Sequence, residues 1–203
     1  MTATEQKARR VQLLRALFLL LVHLIDPHRL IFLDESGSHI GMTREYARAP
    51  QGERAPASVP RNRGCALTLL GALDCRGLRA LMTIEGATTT EVFDAFLEHC
   101  LVPELKEGDV VVLDNLGAHK SASVLRRVRA AGAFVLFLPP YSPELNPIEL
   151  CWSKFKNLLK HAGACTREEL EHAVAEAMKS ITPEDAAGWF HHCGYRLNPN
   201  EHD

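Results

Sequence analysis

Two aspartates, Asp34 and Asp114, each close an apolar run, Leu30 to Leu33 and Val110 to Leu113, and a glutamate, Glu149, follows Asn146-Pro147 where another apolar pattern begins. A carboxylate at the end of a buried strand is costly unless something pairs with it or binds it. Hard oxygen ligands in that position suit Mg²⁺ or Mn²⁺, which keep part of their water and accept phosphate oxygens as further ligands. Three acids converging from separate elements form the ligand set for two such ions, which activate an attacking oxygen and stabilise a leaving one in phosphoryl transfer. Taken singly, an acid after a strand is ordinarily a turn residue or a helix cap. What points to chemistry is the coincidence of three, beside the most basic stretch of the chain.

The formal net charge is only −2, from 23 basic and 25 acidic residues, and such an average predicts no polyanion partner. The distribution is uneven. Between His119 and Arg167, Lys120, Arg126, Arg127, Arg129, Lys154, Lys156, Lys160 and Arg167 oppose only Glu144 and Glu149, whereas Glu168 to Asp203 carries eight acidic residues against Lys179 and Arg196. A smaller basic stretch, Arg44 to Arg63, sets five arginines against Glu45 and Glu53. A solvated face has the same composition. Lys154, Lys156 and Lys160 gain meaning from their place, on the helix that starts at Glu149, where they are expected to reach backbone phosphates.

Apolar periodicity outlines the elements that must hold these residues. Val11 to Ile25, preceded by Lys7, Arg9 and Arg10, is too short to span a bilayer and has no small-x-small site before Asp26, so it reads as a buried or partner-facing helix. A short strand, Leu30 to Leu33, leads into an irregular excursion over residues 36–63. Cys65 to Leu73 and Leu78 to Ile84 flank Asp74-Cys75-Arg76-Gly77, the composition of a hairpin turn. Thr88 to Glu91 fits a capping box ahead of a helix carrying Val92, Phe93, Phe96, Leu97 and Leu101. Then come a strand at Val110 to Leu113, a basic helix at Ser121 to Ala131, a strand at Phe134 to Leu138, a proline-punctuated loop from Pro139 to Pro147, a helix at Ile148 to Lys160, and a last helical pair near 166–180 and 183–192. The hairpin makes the first three strands antiparallel, and the intervening helices imply parallel pairing for the last two. The expected fold class is α/β, a ribonuclease H-like mixed sheet of three antiparallel strands then two parallel, flanked by helices. The expected division is an N-terminal helical segment over 1–27, a catalytic domain over 28–165 and a helical extension over 166–203.

Three blocks then become specific. Leu33-Asp34-Glu35-Ser36-Gly37, Leu113-Asp114-Asn115-Leu116-Gly117-Ala118-His119-Lys120, and Pro139-Pro140-Tyr141-Ser142-Pro143-Glu144-Leu145-Asn146-Pro147-Ile148-Glu149 with Trp152, Phe155 and Lys156 beyond it, resemble the catalytic blocks of bacterial insertion-sequence transposases of the mariner superfamily. Thirty-four residues lie between Asp114 and Glu149, an interval similar to that of this DDE branch. The resemblance covers roughly residues 28–195. It implies that Asp34, Asp114 and Glu149 are a catalytic, metal-holding triad using two Mg²⁺ or Mn²⁺ ions. The implied reaction is hydrolysis at the element ends followed by attack of the freed 3′-hydroxyl on target DNA. Implied partners are transposon ends, target DNA and, in the active form, a second copy of the chain; the implied setting is a bacterial cytoplasm, at the nucleoid. Relatives carry helix-turn-helix modules ahead of the catalytic domain, and no such pair of helices is readable here. The expectation is therefore a separate helix-turn-helix DNA-binding protein from an upstream reading frame, or else a truncated, non-catalytic DNA-binding or regulatory remnant.

Neighbouring residues receive separate expectations. Glu35 alternates to the opposite side of its strand from Asp34 and is read as structural or surface. Asn115 and His119 are placed behind the acids, orienting water, phosphate or a carboxylate. Lys120, Asn146, Lys154, Lys156 and Lys160 are expected on the DNA path, with Asn146 and Pro147 also setting the helix entrance, itself a phosphate site. Tyr141 is read as loop packing before base stacking. Six cysteines, with no C-x-x-C pair, suggest neither a zinc ribbon nor a disulfide framework and point to a reducing cytoplasm. The run His191-His192-Cys193 does not suit one metal, since adjacent residues rarely share an ion. A phosphatase built on a strand-end aspartate nucleophile is disfavoured, because no second aspartate follows Asp34 two residues on and Glu149 would have no role.

Overall fold

The computed structural model describes residues 8–44, 48–56, 66–115 and 121–197. Much of the basic stretch around Arg61 and Arg63, together with His119 and Lys120, lies outside the described residues. The elements run α1 (Arg9–Val22), β1 (Leu30–His39), β2 (Ala66–Asp74), β3 (Gly77–Glu85), α2 (Thr90–Phe96), β4 (Val110–Leu113), α3 (Ala122–Ala130), β5 (Phe134–Phe137), α4 (Pro147–Ala162), α5 (Arg167–Lys179) and α6 (Pro183–His192). The five strands form one sheet in the order β3-β2-β1-β4-β5. β1 pairs antiparallel with β2 and β2 with β3, while β4 pairs parallel with both β1 and β5. The mixed sheet expected from the element order is the one observed.

Strand alternation divides the core in two. Leu30 and Phe32 of β1, with Val110 and Val112 of β4, face Trp152, Phe155 and Phe190 from α4 and α6. Ile31, Leu33, Val111 and Leu113 face Phe93, Phe96, Val124 and Val128 from α2 and α3. β1 and β4, where they pair in parallel, are thus covered on both sides and read as unbroken apolar runs, which makes them legible in sequence. On the antiparallel side, Asp74 is almost fully buried at the hairpin yet well supplied. It accepts from Arg76 N (2.8 Å) and from the guanidinium groups of Arg76 (3.0 Å) and Arg79 (3.0 Å).

Two expectations are corrected. β1 does not stop at Leu33: its ladder with β2 continues from Phe32↔Leu73 to His39↔Ala66, so Asp34 sits inside a strand and the first part of the supposed excursion is sheet. The residues that hide this are Ser36 and Ser38, polar but buried against neighbouring elements. The cap of α2 is Thr89, whose hydroxyl accepts from Val92 N, and not Thr88. The helix expected as buried or partner-facing, α1, buries Val11, Phe18 and Val22 and leaves Leu13, Leu17 and Leu20 exposed, as is Leu24 beyond its end. Among the described residues no helix is long and apolar enough to cross a membrane.

Candidate active site

The parallel register brings the two aspartates level. β1 and β4 pair as Leu30↔Val110 and Phe32↔Val112, and continuing that offset by two residues sets Asp34 beside Asp114. By alternation both share the side of Phe32 and Val112, the side that α4 covers. Asp34 is 8% exposed and Asp114 half-buried one residue past the end of β4.

Glu149 arrives on the same side through the docking of α4. Asn146 is the N-cap of this helix, Pro147 opens its first turn and Glu149 lies within that turn, exposed. One turn further, Trp152 packs its ring against β2 at Gly71, the residue paired with Asp34. A Cβ at Gly71 would stand 2.6 Å from the Trp152 ring, so only glycine lets α4 approach this closely. The absence of a side chain on β2 therefore sets the distance between the α4 start and the aspartates.

Asp34, Asp114 and Glu149 line a single cleft of about 350 Å³, together with Asn115, Asn146 and the stretch from Leu138 to Pro143. The loop wall is fastened from both ends of the chain. Arg15 of α1 donates to Ser142 Oγ (2.6 Å) and pairs with Glu144 (2.5 Å), and the buried Tyr195 hydroxyl donates to the Leu145 carbonyl (2.6 Å). Burial pushes the Tyr195 hydroxyl well above its usual range, so it stays a donor. Asn115, expected to orient water, phosphate or a carboxylate, lines the cleft and donates its amide to the Leu138 carbonyl, holding the start of the loop. Tyr141 stands on the rim, 52% exposed, with φ 56°, the one positive φ outside glycine among the described residues. Such backbone is found where surrounding structure enforces it, commonly at functional sites.

The three lysines of α4 separate. Lys156 and Lys160 follow Glu149 by seven and eleven residues, about two and three turns, and so lie on its side of the helix. Lys154 does not join them. Its ammonium, expected on the DNA path, pairs with Asp185 of α6 and donates to the Ser180 carbonyl (3.0 Å), a tie between helices. Sequence reasoning also missed Arg15, Gly71 and Tyr195. The only signal for Arg15 was a lone cation inside an apolar helix; Gly71 and Tyr195 gave none, because their partners lie 81 and 50 residues away.

The donor set is oxygen only, two aspartates and a glutamate with an asparagine beside them, which fits Mg²⁺ or Mn²⁺ in kind. Among the described residues no three His, Cys, Asp or Glu side chains stand close enough to hold an ion by themselves. An ion here would take its remaining ligands from water and phosphate, as Mg²⁺ ordinarily does. Among the described residues no cysteine lines the cleft. Burial pushes the thiols of Cys75 up to about 11, Cys151 to about 12 and Cys193 to about 11, leaving no thiolate at neutral pH.

Comparison with known proteins bears on the family and the fold. A family model described as DDE superfamily endonuclease matches residues 29–171. The Tcb1 transposase of the transposable element from Caenorhabditis briggsae is 28% identical over 145 residues, covering 68% of this chain and 53% of that protein. Among solved structures, the Mos1 transposase paired-end complex with left transposon end superposes with a TM-score of 0.77 at 17% identity, over 94% of this chain and 61% of that one. The Mos1 catalytic domain with Raltegravir and Mg superposes with a TM-score of 0.69 at 16% identity, over 94% and 90%. The ribonuclease H-like fold is thus shared with a transposase catalytic domain. The chain spans about half the length of the curated relative it matches.

Proposed function

We propose, on the premise that the chain belongs to the DDE superfamily endonuclease family, that it is the catalytic part of a mariner-type insertion-sequence transposase that cuts and rejoins DNA strands. The observation that carries this reading is the in-register pair Asp34 and Asp114 sharing one cleft with Glu149. Residues 28–165 are the catalytic unit, and the flanking stretches 1–27 and 166–203 contribute α1, α5 and α6, which pack on it. Its setting is the cytoplasm of a bacterium, at the nucleoid.

Asp34, Asp114 and Glu149 would hold divalent cations, Mg²⁺ or Mn²⁺ and two in number. Bound there, such ions lower the pKa of an attacking hydroxyl and offset charge on the leaving oxygen. The chain's own residues do the rest. The side chains of Lys156 and Lys160 bind backbone phosphates. The loop from Pro139 to Pro143, held by Arg15 and Tyr195, forms the wall that orients the scissile bond and limits water. In cleavage, water attacks phosphorus and the P–O3′ bond breaks, leaving a 3′-hydroxyl. In joining, that hydroxyl attacks a target phosphodiester and displaces the target's own 3′-oxygen. Partners are transposon ends, target DNA, a second copy of the chain, and a helix-turn-helix protein that recognises the ends.

The test is strand joining. A labelled duplex with a free 3′-hydroxyl, supercoiled plasmid and the protein are incubated in Mg²⁺ or Mn²⁺, beside Asp114→Asn. Label joined covalently to plasmid by the wild type alone supports the reading. DNA binding without cleavage or joining, by both proteins, would instead support a non-catalytic remnant.

A further inference from the structure

We propose that Asn146 is a positioning residue whose side-chain oxygen accepts a hydrogen bond from a water in the shell of the divalent cation at Asp34, Asp114 and Glu149; this rests on the metal-dependent reading above. Asn146 is 4% exposed and lines the cleft with the three acids. Its Oδ1 is buried and meets no donor. A desolvated acceptor left unpaired costs stability, and in native proteins it marks a bound water, an ion or a functional constraint.

The ordinary use of an asparagine here is excluded. Asparagine is a favoured N-cap because its side-chain oxygen accepts from a first-turn N–H. Asn146 occupies the N-cap of a 16-residue helix and makes no such bond. The N-caps Thr166 and Thr182 both make it. The residue best suited to capping has been left out of the cap, on the helix that carries Glu149.

Chemistry narrows what can satisfy the atom. An amide oxygen only accepts, and a phosphodiester has no proton to donate, so backbone phosphate cannot serve. The cation that fastens the neighbouring loop, Arg15 of α1, is engaged by Ser142 and Glu144. Water polarised by a cation is a strong donor, and the acids lining the cleft are what would draw the cation there. Asn146 sits one turn before Glu149, and its carbonyl accepts from the Glu149 backbone N–H (3.2 Å). A water bound to its side chain would tie the cation's shell to the turn that presents Glu149.

The experiment is Mn²⁺ titration of the full chain, read by loss of the free-ion paramagnetic resonance signal, with thermal melting of each protein in chelator. The proteins are wild type, Asn146→Ala, Asn146→Asp and Asp114→Asn. We expect wild type to bind Mn²⁺ and Asp114→Asn to lose it. Asn146→Ala should bind at least about 10-fold more weakly, the usual cost of losing such an outer partner, with a metal-free melting temperature no lower than wild type because the orphan acceptor is gone. Asn146→Asp keeps an acceptor oxygen and should bind at least as tightly as wild type. Affinity of Asn146→Ala within twofold of wild type, while Asp114→Asn loses binding, would overturn the role of Asn146 and leave the metal reading standing. A metal-free melting temperature several degrees lower for Asn146→Ala would mark it as a cap and overturn the proposal. Absence of Mn²⁺ binding by wild type would overturn both.

Discussion

Three helices of this chain begin with a polar residue three positions ahead of an acid: Asn146 and Glu149 in α4, Thr166 and Glu169 in α5, Thr182 and Asp185 in α6. In α5 and α6 the pattern closes into a capping box, each threonine hydroxyl accepting from the acid's backbone N–H and each acid reaching back to the cap's N–H. In α4 the same spacing makes no cap bond. Glu149 is exposed at the cleft and Asn146 is buried with its oxygen unmatched. One sequence pattern thus serves two ends. At α5 and α6 the acid stabilises a helix; at α4 it is withheld from the helix and presented with Asp34 and Asp114. Pro147, which sets the first-turn backbone without needing an N–H partner, helps α4 start without the box.

The strongest way to break this comparison is to neutralise the acid in each setting. Glu149→Gln should lower strand cleavage by on the order of 10²–10³-fold or more and leave the melting temperature near wild type, whereas Glu169→Ala, which removes the oxygen that accepts from the Thr166 N–H, should lower the melting temperature and spare cleavage; loss of stability in Glu149→Gln would make Glu149 an ordinary helix acid. Next, Gly71→Ala should destabilise by about 1–3 kcal/mol through overpacking against Trp152 and depress cleavage by moving the α4 start away from Asp34. Denaturant unfolding beside a cleavage assay checks both parts. Thr182→Ala should cost about 1 kcal/mol as a lost cap, seen as a shift in the denaturation midpoint with no change in metal binding.

A smaller effect separates the lysines. Replacing Lys156 or Lys160 should flatten the log–log salt dependence of DNA binding by about 0.9 for each phosphate no longer neutralised, and Lys154→Met should not. The α6 tie also predicts a pH effect. Burial raises the Asp185 carboxyl, but hydrogen bonds from Lys154 and Thr182 outweigh it and hold the group below its usual range. A depressed acid contributes stability above its unfolded pKa, and that contribution disappears as pH falls through the folded value. The stability difference between wild type and Lys154→Met, below about 1 kcal/mol for a partly exposed pair, should vanish on acidification below about pH 4.

The parts of the fold legible in sequence were those governed by local pattern. The apolar runs at Leu30 and Val110, the hairpin at Asp74 to Gly77 and the Asn146-Pro147 helix start all carry their signal within a few residues. β1 beyond Asp34 was not legible, since its last residues are held by pairing with β2 and by burial of Ser36 and Ser38, not by their own hydrophobicity. The three acids were readable because each closes or opens a local pattern. The supports that place them, Gly71 under Trp152, Arg15 on Ser142 and Tyr195 on Leu145, act across long sequence separations and leave no local trace. The Lys154 contact was not legible for a related reason: composition groups it with Lys156 and Lys160, and helical periodicity turns it toward Asp185.

The central claim is that the cleft of Asp34, Asp114 and Glu149 is a divalent-cation nuclease centre. Its most direct test is nicking of supercoiled plasmid in Mg²⁺ or Mn²⁺ by wild type, Asp34→Asn, Asp114→Asn and Glu149→Gln, purified identically to expose contaminating nucleases. The account predicts cleavage by wild type, silenced by chelator and lost in all three variants. Nicking that survives in Asp114→Asn at the wild-type rate would contradict it.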